Sequence, residues 1–186
     1  MELKYRSSRI GTRCKENQDH ILIHEDNGFS VHGVFDGIQS RPGSGEFTKQ
    51  LVKLIKHELR SGCAYITPTS ICDLIDECRS LLARRYPAAG CSFILIANVT
   101  GLPYRFFIWA GDCRLGSWRS DNPVWITCPD SKRGILTNRL LAKRTCRPQI
   151  GTIDKKRRYF ILASDGHWKS NNDDDATYIV VAGSNK

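Results

Sequence analysis

Five aspartates stand where this sequence reads as the ends of strands: Asp19, Asp36, Asp112, Asp165 and Asp174. Three of them adjoin a glycine, as Asp36-Gly37, Gly111-Asp112 and Asp165-Gly166. One Asp-Gly after a strand is ordinary turn chemistry. Five such placements predict carboxylates gathered along one rim. Gathered carboxylates repel one another and hold their protons more tightly, unless cations neutralise them. Donors that are all oxygen select hard divalent ions such as Mg²⁺ or Mn²⁺, with waters completing the coordination. Two such ions about 3.5–4 Å apart hold a bridging water, acidify it and clamp a phosphoryl group for in-line attack.

The elements that must position these acids are legible as runs. His20–His24 and Gly28–Phe35 read as a hairpin across an Asn27-Gly28 turn. Phe47, Leu51, Leu54, Ile55 and Leu59 recur at helical spacing, with Gly62 placed as a C-terminal cap. Ser70 and Asp73 suggest the cap of a second helix through Leu82, ended by Pro87. Strands follow at Ser92–Val99, Tyr104–Trp109, Arg114–Arg119 and Val124–Thr127, then a short helix over Ile135–Lys143. Strands at Arg158–Ala163 and Ala176–Ala182 close the chain. Strands in hairpins with clustered helices predict an α+β domain built on antiparallel sheets.

A chain of 186 residues, 40% hydrophobic and 25% charged, is expected to form a single compact domain over residues 1–186. No run of 18 or more apolar residues is present, so no membrane partner is expected. The N-terminus is too polar for a secretory signal, and the eight cysteines fall singly within mostly apolar runs. They are read as reduced cysteines of a cytoplasmic protein. Cys78 and Arg84 have the C-x5-R spacing of cysteine phosphatases, but no glycines are there to cradle a phosphate, and that reading is rejected. The net charge is +9, and ten basic residues against the single acid Asp154 lie between Lys132 and Arg158. This stretch is either a solvated face or a steering surface for acidic or phosphorylated partners. No interleaved aromatics favour nucleic acid.

Together the motifs resemble a known family. Gly11 through Asn17-Gln18-Asp19, Val34-Phe35-Asp36-Gly37 and Gly90-Cys91-Ser92 resemble, in order, motifs of the metal-dependent protein serine/threonine phosphatases, the type 2C family. So do Gly111-Asp112-Cys113-Arg114, Leu162-Ala163-Ser164-Asp165-Gly166-His167-Trp168 and Asp174-Asp175-Ala176-Thr177. The match runs from about residue 7 to residue 182. The resemblance implies a four-layer α-β-β-α sandwich of two antiparallel sheets with metals at one end. It implies that Asp36 bridges two Mn²⁺ or Mg²⁺ ions, that the Gly37 carbonyl binds one, and that Asp165 and Asp174 hold the second. Asp19 would act through water, and Asp112 with Asp165 would form a weaker third site. The activity implied is removal of phosphate from serine or threonine of proteins.

The sequence departs from that pattern in places. The family's phosphate-gripping arginine position is Cys14 here, with Arg13 one place earlier. Either Arg13 does that work or phosphate affinity is weak, and in a strand the slip would turn the side chain to the other face. Asp36-Gly37 is followed by Ile38-Gln39-Ser40 in place of a histidine or methionine and two glycines. Only nine positions separate Asp165 from Asp174, so the helices on one sheet face are expected to be reduced. The bared face suggests self-association or a partner. The basic stretch Lys132–Arg147 takes the place of the family's flap. A phosphatase-like binding module with little catalysis is the alternative reading.

Overall fold

The computed structural model describes residues 1–62, 65–118, 122–132, 135–156, 158–170 and 172–183. Cys63, Arg119, Arg133 and Arg157, each part of an expectation above, lie outside the described residues. The first sheet comprises β1 (Glu2–Arg9), β13 (Ala176–Ala182), β12 (Tyr159–Ala163), β6 (Arg114–Trp118) and β7 (Pro123–Trp125), in that spatial order. The second runs β11 (Gln149–Asp154), β5 (Tyr104–Ala110), β4 (Gly90–Val99), β3 (Phe29–Gly37) and β2 (Asp19–Glu25). β10 (Leu140–Leu141) pairs with the start of β4, and β8 (Ser131–Lys132) with β9 (Ile135–Leu136) makes a small separate ribbon. All of these pairings are antiparallel. The α+β sandwich expected from the sequence is present.

The unbroken apolar run of β4 has a direct cause, since both of its faces are covered. Phe93, Leu95 and Ala97 pack toward helices α1 (Ser44–Arg60) and α2 (Pro68–Leu82). Ile94 and Ile96, from the intervening positions, pack against Leu115, Phe160, Leu162, Ile179 and Val181 of the other sheet. Burying each such side chain is worth about 1.5–3 kcal/mol. In α1, Phe47, Leu51, Ile55 and Leu59 are buried at four-residue intervals, and Gly62 follows the helix with φ +97°. The cap of α2 is Thr67 rather than Ser70. Thr67 and Ser70 exchange backbone-to-hydroxyl bonds of 2.9 and 3.1 Å, and Pro68 opens the helix.

The expected helix over Ile135–Lys143 does not form. Leu140 and Leu141 pair with Cys91 and Gly90, and Leu140 enters the helix-side core. The Asn138 amide donates to Asp130 and to the Arg147 carbonyl, bonds that favour a loop over a helix. β1 and β11 extend the expected strand set, and β1 lies on the sheet edge.

Helices α1 and α2 cover the second sheet, whereas among the described residues the first carries only the one-turn helix α3 (Asp165–Trp168) near its end. Its open face exposes Tyr5 (55%), Trp118 (39%) and Tyr159 (47%), which with Tyr178 and Val180 line a shallow apolar recess. No described helix is long and apolar enough to cross a membrane.

Candidate metal centre

Strand register builds the first half of the site. Asp19 of β2 stands directly opposite Asp36 of β3, and Asp36 stands opposite Ser92 of β4. The Ser92 hydroxyl donates to Asp112 Oδ1 at 2.9 Å, just past the end of β5. Like charges facing each other across strands destabilise a sheet, so this row is costly unless something positive joins it. Gly111 permits the approach: it has φ +94°, and a Cβ there would collide with the Ser92 side chain.

The other sheet supplies the second half. Ser164, at the end of β12, donates its hydroxyl to Asp19 Oδ2 at 2.8 Å and accepts from the Thr177 amide at 2.9 Å. This ties β12 and β13 to β2 across the sandwich. Asp165 opens α3, and the Trp168 indole donates to the Asp112 carbonyl at 2.9 Å, which holds that turn against the β5–β6 corner. Gly166 lies so close to the Asp175 carbonyl that a side chain would overlap it. Asp174 precedes β13, and its carboxylate accepts from the Asp175 amide at 2.9 Å.

The electrostatics follow from this crowding. Burial, followed by the charges of Asp19, Asp165, Asp112 and Asp174, raises the Asp36 carboxyl well above its ordinary value. Burial pushes Asp19 up to about 7, against the opposing hydrogen bonds from Ser164 and Thr177. Burial and the neighbouring Asp165 also raise Asp112 and Asp174. The other four acids expected from the sequence thus all lie near enough to raise Asp36.

Among the described residues, no three His, Cys, Asp or Glu side chains converge as a ready-made cage for one ion. The acids are spread along the rim instead. Mg²⁺ is commonly held by one or two carboxylates with waters filling the remaining positions. Asp19 Oδ1 is buried without a hydrogen-bond partner, a costly state for a carboxylate oxygen. An all-oxygen rim with raised carboxyls and an orphaned oxygen fits hard divalent cations.

No family model matches the sequence, and no curated protein matches it. Solved structures do. The chain is similar to a bacterial serine phosphatase at 14% identity and a TM-score of 0.80, over 98% of each chain. The serine/threonine phosphatase Stp1 of Staphylococcus aureus gives 0.82 at 14% identity, over 98% of this chain and 97% of that one. The serine/threonine phosphatase PstP/Ppp of Mycobacterium tuberculosis gives 0.75 at 12% identity, over 96% and 97%. The chain has the fold of bacterial serine/threonine phosphatases.

Within this fold the segment carrying Arg13 and Cys14 is a turn rather than a strand, closed by the Cys14 amide bonding to the Gly11 carbonyl at 3.1 Å. Strand alternation therefore does not decide which way Arg13 points. Its side chain is 80% exposed and pairs with Asp173 at 3.1 Å, next to Asp174. Cys14 accepts from Gln39 at 2.8 Å and donates to the Asp173 carbonyl at 3.6 Å, a bracing position. Gly37 ends β3 beside Gln18, whose carbonyl accepts its amide at 3.2 Å. Cys78 is buried in α2 with its thiol pushed up to about 12 by burial, which upholds the rejection of a cysteine nucleophile.

Two residues escaped the sequence reading. Asp175 accepts the amides of Gly11 at 2.9 Å and Gln18 at 2.7 Å, and so fixes the whole 11–18 turn against the acid-bearing segment. Lys169 places its ammonium 2.6 Å from Asp165 and 3.6 Å from Asp112. Its pKa is raised, because the attraction of Asp165 and Asp112 outweighs the opposing effect of burial. Beyond the centre, the basic stretch folds over the start of β4 and against α2, where Arg79 donates to the Ala142 carbonyl at 2.7 Å. Arg139, Arg144 and Arg147 line a recess there.

Proposed function

We propose that this chain hydrolyses phosphoserine and phosphothreonine in proteins with the help of two bound Mn²⁺ or Mg²⁺ ions. The observation that carries the reading is the carboxylate row Asp19–Asp36, joined by Asp112, Asp165 and Asp174 from strand ends of both sheets. The likeness in fold to bacterial serine/threonine phosphatases supports it.

Asp36, the Gly37 carbonyl, Asp165 and Asp174 would hold the ions, with Asp19 and Asp112 as outer support. When bound, such ions acidify a water and neutralise charge on a phosphoryl group. The chain's own groups prepare the site for this. Ser164 fixes the orientation of Asp19, Ser92 fixes that of Asp112, and Asp175 fixes the turn that presents Arg13. Arg13, exposed beside Asp174, is the residue assigned to grip the phosphate. The arginine-lined recess favours acidic or multiply phosphorylated substrates. The seven described cysteines are all unpaired, in keeping with a reducing cytoplasmic compartment.

The test is release of phosphate from a phosphopeptide with Mn²⁺. Wild type should turn over, and Asp36→Ala and Asp165→Ala should each lose at least about a hundredfold, more than an outer-shell change usually costs. Arg13→Ala should raise KM about tenfold, the worth of one charge-assisted hydrogen bond. Mn²⁺-supplemented protein without turnover on several phosphosubstrates would sink the proposal.

A further inference from the structure

Lys169 follows Asp165 by four residues, which on a single helical turn brings the two side chains together. Its ammonium lies 2.6 Å from Asp165 Oδ2 and 3.6 Å from Asp112 Oδ2. The other Asp112 oxygen is already engaged by the Ser92 hydroxyl at 2.9 Å. The lysine thus faces the one Asp112 oxygen left for a cation. Its ammonium is 5.0 Å from the ring centre of Trp168, whose indole is anchored on the Asp112 carbonyl. Both partner carboxylates are largely buried, at 16% and 12% side-chain exposure. The lysine side chain itself is 43% exposed, so the contact stands between a surface pair, which contributes little, and a buried one.

We infer that Lys169 is a built-in cation of the acid cluster, standing where a divalent ion would otherwise sit between Asp112 and Asp165, so that the centre takes two metal ions rather than three. This rests on the proposed metal centre. A lysine suits the place because its ammonium is a compact point charge on a flexible stem. One positive charge there relieves Asp112 and opposes the entry of a third ion. Among the described residues it pairs with neither Asp19 nor Asp36, so that row keeps its need for metal.

The experiment counts Mn²⁺ bound to the full chain after chelator treatment, by titration calorimetry and by electron paramagnetic resonance of the free ion. Wild type should bind two ions. Lys169→Met keeps the stem over Trp168 but removes the charge, and should bind one more ion at least tenfold more tightly than wild type does. Lys169→Arg should behave as wild type. Lys169→Gln serves as a second neutral variant, with circular dichroism checking that each variant is folded. Neutral variants that bind Mn²⁺ in the same number and with the same affinity as wild type would overturn the inference while leaving the metal centre standing. Wild type that binds no Mn²⁺ would overturn both.

Discussion

In a chelator, the stability of this protein should fall as pH rises from about 5 to 7.5. The Asp19 carboxyl is pushed from 3.8 to about 7, chiefly by burial. Between those values the folded chain holds a proton that the unfolded chain has released, so stability declines with increasing pH. At about 1.4 kcal/mol per tenfold, the full penalty above pH 7 is about 4 kcal/mol. It belongs to the Asp19–Asp36 pair, because facing acids titrate together. The part lying between pH 5 and 7 is about 3 kcal/mol, or roughly 6–12 °C in Tm for a domain of this size. The assay is thermal melting in a chelator across that range, on wild type and on Asp19→Asn. Wild type should lose stability as pH rises, Asp19→Asn should lose less while the raised Asp36, Asp112 and Asp174 keep part of the slope, and saturating Mn²⁺ should flatten the wild-type curve. A wild-type Tm in chelator that is level from pH 5 to 7.5, or an Asp19→Asn slope as steep as the wild type's, would refute the reasoning.

Two further substitutions probe the supports of the row. Ser164→Ala strips a bond from Asp19 and the acceptor from the Thr177 amide, both buried, and should cost about 1–3 kcal/mol in urea unfolding. An unchanged midpoint would mean that water takes over both bonds. Gly111→Ala forces a side chain onto backbone at φ +94° and against Ser92, and should cost about 1–3 kcal/mol while weakening Mn²⁺ binding through Asp112. Wild-type stability and Mn²⁺ affinity in that variant would remove Ser92 from the argument.

The acids were legible because each borders an apolar run, and a run reveals where a strand starts or stops. Pairing register was not legible, yet it is what sets Asp19 opposite Asp36 and Asp36 opposite Ser92. The β1 edge strand was hidden because charged residues occupy half of its positions and serines two more, most of them exposed. The Ile135–Lys143 segment misled because Leu136, Leu140 and Leu141 mimic helical spacing, while the bonds of Asn138 and the pairing of Leu140 with Cys91 decide otherwise. Asp175 looked like one more acid in a run of three, and only its two amide bonds, to Gly11 and Gln18, separate its bracing work from that of Asp174.

Lys169 is the most instructive omission. Asp165 and Lys169 stand four apart in plain view, but that spacing joins side chains only on a helix. Asp165-Gly166 reads as a strand-ending turn, and the one turn of α3 is too short to show a periodicity. What makes it helical is tertiary: Trp168 is anchored on the Asp112 carbonyl, and His167 stacks on Tyr178 with ring centres 4.1 Å apart. The same contacts that curl the chain after Asp165 therefore bring the ammonium to the carboxylates. A residue read as one more contributor to the net charge of +9 becomes, through a single turn of helix, a participant in the acid site.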